Sequence, residues 1–163
     1  MQIVRAVELP APAERAFEFV DDLGRYPVWM RLVREAEPTA ASAVDPPADA
    51  APSTGTSAGL AAAWFVELQA QVGPFARSKR LRMVRTVHLP NTTVRFERSE
   101  IDGRSHAPWT LQADLAESEA GSTRLTMTLT YGGSLWTGAV LQRVLDDEVT
   151  RGSESLVRQV AHG

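Results

Sequence analysis

Four polar residues share the spacing of apolar neighbours on stretches that alternate like strands. Arg85 continues the series Leu81, Met83; Arg98 and Glu100 continue Val94, Phe96; Tyr131 ends the series Leu125, Met127, Leu129. Residues two apart in a strand share a face, so each of these groups is directed towards an apolar interior. There Arg85 or Arg98 would polarise a ketone or enolate, with Tyr131 or Tyr26 as hydrogen-bond donor. An unpaired guanidinium in such a place is costly. The competing reading is therefore structural: Arg98 pairs with Glu100 or Glu97 at a strand end, or a bulge turns Arg85 outward.

Other chemistries find less support. His88, His106 and His162 sit on separate segments with no carboxylate at ligand spacing, so no metal site is expected. His106 reads either as an acid/base at a cavity mouth or as a loop residue. No GxSxG is present, Gly152-Ser153-Glu154-Ser155 has no neighbouring base, and Gly132-Gly133 lacks the third glycine and lysine of a phosphate loop. Without cysteine there is neither thiolate nor disulfide. Arg77, Lys79, Arg80, Arg82 and Arg85 form a dense basic run, which would suit an acidic partner, a nucleic acid or an anionic membrane surface. Alternation splits the run between two faces, however, and no aromatic residue is interleaved for stacking, which argues against nucleic acid.

The whole chain of 163 residues, 44% hydrophobic and 23% charged, suits a single domain; its net charge of -3 gives no general affinity for polyanions. The start Met1-Gln2-Ile3-Val4-Arg5 lacks the apolar run of a signal peptide, and no stretch has the length of a membrane span. A soluble cytoplasmic protein without a cofactor is the expectation.

The elements follow from periodicity. Ile3 to Leu9 reads as a strand stopped by Pro10, and Ala11-Pro12-Ala13-Glu14 opens a helix with apolar Ala16, Phe17, Phe19, Val20 and Leu23. Tyr26-Pro27-Val28-Trp29-Met30 begins a second short helix. Leu32 to Pro38 fits either a strand or an extension of that helix. From Pro38 to Gly59, Ala, Pro, Ser, Thr and Gly dominate, giving a long loop that is either a lid or a tolerated insertion. Trp64, Val66, Leu68, Ala70 and Val72 then alternate with polar residues. After Gly73-Pro74, Leu81, Met83, Val87 and Leu89 do the same against Arg80, Arg82, Thr86 and His88. Strands around Val94 and Phe96, ending near Asp102-Gly103, around Trp109 to Leu115, and around Leu125 to Tyr131 complete an antiparallel meander. Leu135 to Val160 is helical, with Gly138, Leu141, Leu145, Val149, Gly152, Leu156 and Val160 on one stripe. Its two glycines remove volume from the buried side and suggest a cavity. Trp136, Val140 and Val144 form a second apolar stripe, which would suit a homodimer.

This order of elements resembles the helix-grip fold of the START-like (SRPBCC) superfamily. The stretch Val7 to Phe17 with Val20-Asp21-Asp22 and Tyr26-Pro27-Val28-Trp29, and Gly121-Ser122-Thr123-Arg124-Leu125-Thr126, look like the polyketide cyclase/dehydrase family. The resemblance implies an α+β fold in which a curved antiparallel sheet of six to seven strands wraps a long C-terminal helix around a hydrophobic cavity. It implies a lipid- or polyketide-like ligand, or alternatively an aromatase/cyclase acting by aldol closure and dehydration. Trp29, Trp64, Met83, Phe96, Trp109, Leu111, Met127, Gly138, Leu141 and Leu145 are the expected ligand contacts. Arg85, Arg98 and Tyr131 are the catalytic candidates.

Overall fold

The computed structural model describes residues 2–40, 42, 62–72, 74–119, 121–132 and 139–162, with side chains omitted at 70–72, 139–142 and 145. Seven strands, β1 (Gln2–Leu9), β2 (Val33–Thr39), β3 (Ala63–Val72), β4 (Phe75–Leu89), β5 (Thr93–Arg98), β6 (Trp109–Glu117) and β7 (Thr123–Tyr131), form one antiparallel sheet in the order β1-β7-β6-β5-β4-β3-β2. Helix α1 (Ala13–Val20) and a 3₁₀ helix (Leu23–Val28) follow β1, and α2 (Ala139–His162) ends the chain. The expected helix-grip architecture is present. The Pro38 to Gly59 loop falls mostly outside the described residues.

The alternation of β6 and β7 is strict: Trp109, Leu111, Ala113 and Leu115 are buried beside Leu125, Met127, Leu129 and Tyr131. This one-sided burial gives the sheet an apolar concave face. Helix α1 is opened by Pro12, carries Glu14 in its first turn where the helix dipole favours an anion, and buries Ala16, Phe17 and Val20. Asp22 enters the 3₁₀ helix by accepting a hydrogen bond from the Gly24 amide at 2.8 Å. The Tyr26 hydroxyl donates to the Val20 carbonyl at 2.9 Å, joining the two helices.

The ambiguous segment after the 3₁₀ helix resolves as β2, a sheet edge bearing Arg34, Glu35 and Glu37, with Pro38 near its end. Charge and proline are what an exposed edge tolerates. Two expectations need correction. β5 ends at Arg98, short of Asp102-Gly103. In β4 the register with β5 shifts between Arg85 and Val87, so His88, expected on the wet face, lies opposite buried Val94 and stacks on Phe17 with ring centroids 5.5 Å apart. A bulge inserts one residue and reverses the parity beyond it.

Helix α2 is tied to β1 by Arg5, whose guanidinium pairs with Asp146 and donates to Thr150 Oγ1 at 3.1 Å. On its other flank, Glu148 lies 3.7 Å from Arg31. Val149, Leu156 and Val160 enter the core. Gly152 does not hollow this face. A Cβ there would stand 3.2 Å from Met30 Cγ and 3.4 Å from Met30 Cα, so the glycine permits close packing of α2 on the segment after the 3₁₀ helix. Gly138 lies outside the described residues.

Candidate functional site

The concave face carries an apolar band with a polar group at each end. In the band, Leu23, Met30, Leu81, Met83, Trp109, Leu111, Leu129 and Val149 are among the residues bounding an apolar space of about 30 Å³. That is room for one or two water molecules, and the wall offers no polar group to hold them. Met83, Trp109 and Leu111 meet at this space. Phe96 packs edge-on against Trp64 and Tyr26, with centroids 5.5 and 5.9 Å away, and Met127 is fully buried in the same core. Leu141 and Leu145 have side chains outside the described residues.

At one end Arg85 keeps the inward parity read from the sequence, opposite Phe96 in the register. Its guanidinium lies 5.8 Å from the Trp64 ring centroid and donates to the Asp21 carbonyl at 2.8 Å. The two side chains line a groove of about 610 Å³ together with Glu18, Asp21, Asp22, Arg25, Pro38 and Thr39. Burial lowers the Arg85 pKa, while Asp21 and Asp22 favour its charged form. His88 Nε2 sits 3.5 Å from Asp21 Oδ2, an ion-pair distance. Burial, and then the charge of Arg85, push its pKa down, against the opposing pull of Asp21. The groove therefore combines a guanidinium, a carboxylate and an indole face, a set able to orient a carbonyl or a carboxylate.

At the other end lie Arg98, Tyr131 and Lys79. Arg98 Nε donates to Glu100 Oε1 at 3.0 Å and Arg98 Nη1 to the Ala107 carbonyl at 3.2 Å. The pairing of Arg98 with Glu100 read from the sequence is present. His106 Nδ1 lies 3.2 Å from Arg98 Nη2, and its Nε2 lies 2.8 Å from Asp102 Oδ2. The backbone amide of Arg104, and then His106, hold the Asp102 carboxyl below its usual range. Tyr131 stacks on Trp109 at 5.3 Å, and burial raises its phenol pKa. Lys79 Nζ stands 5.6 Å above the same indole; burial, and then Arg98, lower its pKa, while Glu100 opposes them. Cation over indole is favourable, and more so away from water. Lys79, read from the sequence only as part of the basic run, shares the parity of Leu81 and Met83 and was legible as an inward group by that test. Asp21 and His88 gave no such signal, because their meeting depends on the bulge.

Trp29 belongs to neither group. Its indole N–H donates to the Phe19 carbonyl at 3.2 Å, and the residue lines an outer hollow of about 240 Å³ with Val28, Arg31, Arg151 and Arg158. Of the second helical stripe, Trp136 and the Val140 side chain lie outside the described residues, while Val144 packs against the core. The described residues hold no cluster of three or more His, Cys, Asp or Glu suited to a metal ion, and no helix among them is long and apolar enough to cross a membrane.

No family model matches the chain, and no curated protein does. Solved structures do. A START superfamily protein from Mycobacterium smegmatis superposes with a TM-score of 0.69 at 13% identity, over 99% of this chain and 97% of that one. The Zhui aromatase/cyclase from Streptomyces sp. R1128 gives 0.65 at 12% identity, over 99% and 93%. Ara h 8.0201 gives 0.61 at 11% identity, over 100% and 99%. With a seven-stranded curved sheet, two short helices after β1 and a C-terminal helix closing the concave side, the chain has the helix-grip fold of the START-like superfamily.

Proposed function

We propose that the protein binds a hydrophobic small molecule between the sheet and α2, in one domain formed by the whole chain. The observation supporting this is the apolar space bounded by Met30, Met83, Trp109, Leu111 and Val149, with polar groups at both ends of the same face. An apolar pocket with a few convergent polar groups is the usual form of a small-molecule site. Its volume of about 30 Å³ requires the lining to part before a ligand enters. Met30 and Met83 are the residues suited to that, since unbranched thioethers change shape at low cost. Arg85 or Lys79 would then meet the ligand's polar end. Titration with 1-N-phenylnaphthylamine tests the reading: saturable binding of one molecule per chain, displaced by long-chain or polycyclic ligands, is expected. Absence of saturable binding would remove it.

A second reading is an aromatase/cyclase-type enzyme. It is favoured by one placement, Arg85 on the inner face beside Trp64 in the wide groove, and by the likeness in fold to the Zhui aromatase/cyclase. Arg85 would hold a ketone or enolate oxygen while the chain folds for aldol closure. Turnover of a poly-β-ketone substrate that disappears in Arg85→Met, with stability retained, is the result this reading requires.

A further inference from the structure

The hairpin joining β3 and β4 extends beyond the rest of the sheet. β2 pairs with β3 only as far as Leu68, and β5 pairs with β4 only from Met83 onward. Among the described residues, Phe75 to Leu81 therefore have β3 as their sole ladder partner. Beyond Leu68 and Lys79 the hairpin is two-stranded, and a two-stranded ribbon without sheet neighbours is weakly held. Near its tip Pro74 is exposed and Phe75 is 71% exposed, the most exposed of the large apolar residues described. Phe75, Arg77 and Lys79 follow at two-residue spacing and share one face.

Charge on this ribbon is one-sided. No acidic residue occurs between Glu67 and Glu97, a stretch that holds Arg77, Lys79, Arg80, Arg82, Arg85 and Arg95, in a chain of net charge -3. Part of this basic run is used internally. Arg80 covers the Phe65 ring at 4.9 Å and approaches Glu37, and Arg82 is buried against the Ser99 and Ala40 carbonyls. Arg77 is exposed, and Lys79 stands over Trp109 where the ribbon meets the apolar band.

We propose that this ribbon docks the protein on an anionic bilayer surface, Phe75 entering the acyl boundary and Arg77 meeting the lipid phosphates. The dimensions agree. At ~3.3 Å per residue, Arg77 lies about 7 Å and Lys79 about 13 Å behind Phe75. An apolar group docked at an interface is buried ~5–10 Å into the headgroup/acyl boundary, which leaves Arg77 near phosphate level. A bilayer offers an apolar medium and a phosphate layer at this spacing, whereas an acidic protein surface satisfies Arg77 and takes Phe75 only where an apolar pocket adjoins it. The inference stands whether or not the interior takes a ligand.

Co-sedimentation of the full chain with phosphatidylglycerol/phosphatidylcholine vesicles tests it, against vesicles of phosphatidylcholine alone and at low and high salt. Binding only to the anionic vesicles, weakened by salt, is expected. Arg77→Glu should weaken it about thirtyfold by reversing one cation near the surface, and Phe75→Ser about tenfold or more by removing the inserted ring. Both positions are exposed, so circular dichroism should show the fold unchanged. Failure of the wild type to sediment overturns the proposal. So does equal binding to neutral vesicles, or a Phe75→Ser variant that binds like the wild type.

Discussion

Gly152 of α2 and Met30 lie so close that a single added methyl would stand 3.2 Å from the Met30 Cγ and 3.4 Å from its Cα. The helix is thereby seated by contact with backbone as well as side chain. Alanine at this position gains helix propensity of about 1 kcal/mol but must push Met30 aside. Near-neutral stability is expected for Gly152→Ala, and a loss of about 3 kcal/mol for Gly152→Leu, whose bulk cannot be absorbed. Thermal unfolding reads both, and Met30→Ala should recover part of the leucine penalty.

His88 provides a pH signature. Burial and Arg85 hold its pKa below the ordinary 6.5, while Asp21 pulls upward. Below pH 6.5 the unfolded chain therefore takes up a proton that the folded one refuses. The stability contributed by this group falls from 6.5 down to the folded pKa and then levels off. In NMR titration, Arg85→Met should raise the His88 pKa and Asp21→Asn should lower it further. Movement in the opposite directions would show that the groove's charges do not reach the imidazole.

Arg98 has little exposure, and its partner Glu100 also receives the Arg82 backbone amide at 3.1 Å. Arg98→Ala leaves that carboxylate without its guanidinium, and a loss of about 2–3 kcal/mol in denaturant unfolding is expected, below the range for fully buried pairs because some water reaches this one. Arg85→Ala should cost less, because its main polar partner is a backbone carbonyl at the edge of an open groove.

Val149 borders the apolar space of about 30 Å³. Val149→Leu adds one methylene, worth ~0.8 kcal/mol when buried without strain, and should leave stability within about 1 kcal/mol of the wild type. The same change should weaken phenylnaphthylamine binding. Unaltered affinity would place the bound probe elsewhere.

These residues also show why some features were legible in the letters and others were not. Trp64 to Leu68 and Leu125 to Tyr131 alternate without interruption, so strand, face and order followed from period alone. Arg34-Glu35-Ala36-Glu37 suits a helix by propensity and became an edge strand because β3 offered a ladder. The bulge after Arg85 carries no composition mark, and it moved His88 to the inner face beside Asp21, a residue distant in sequence. Gly152 looked like absent volume because spacing does not reveal which neighbour occupies the gap. In each case periodicity identified the face, and tertiary contact decided what the face met.

The strand order has a consequence for how the chain assembles. β1 finds its ladder partner in β7, pairing Gln2 with Thr130 and Leu9 with Thr123, so the first strand made is completed by the last. During synthesis β1 and the apolar side of α1 must wait, unsatisfied, until nearly the whole sheet has emerged. Such distant pairing carries a high contact order and slows folding towards milliseconds to seconds. The Arg5–Asp146 clasp between β1 and α2 then belongs to a late event, after the sheet has acquired its final edge.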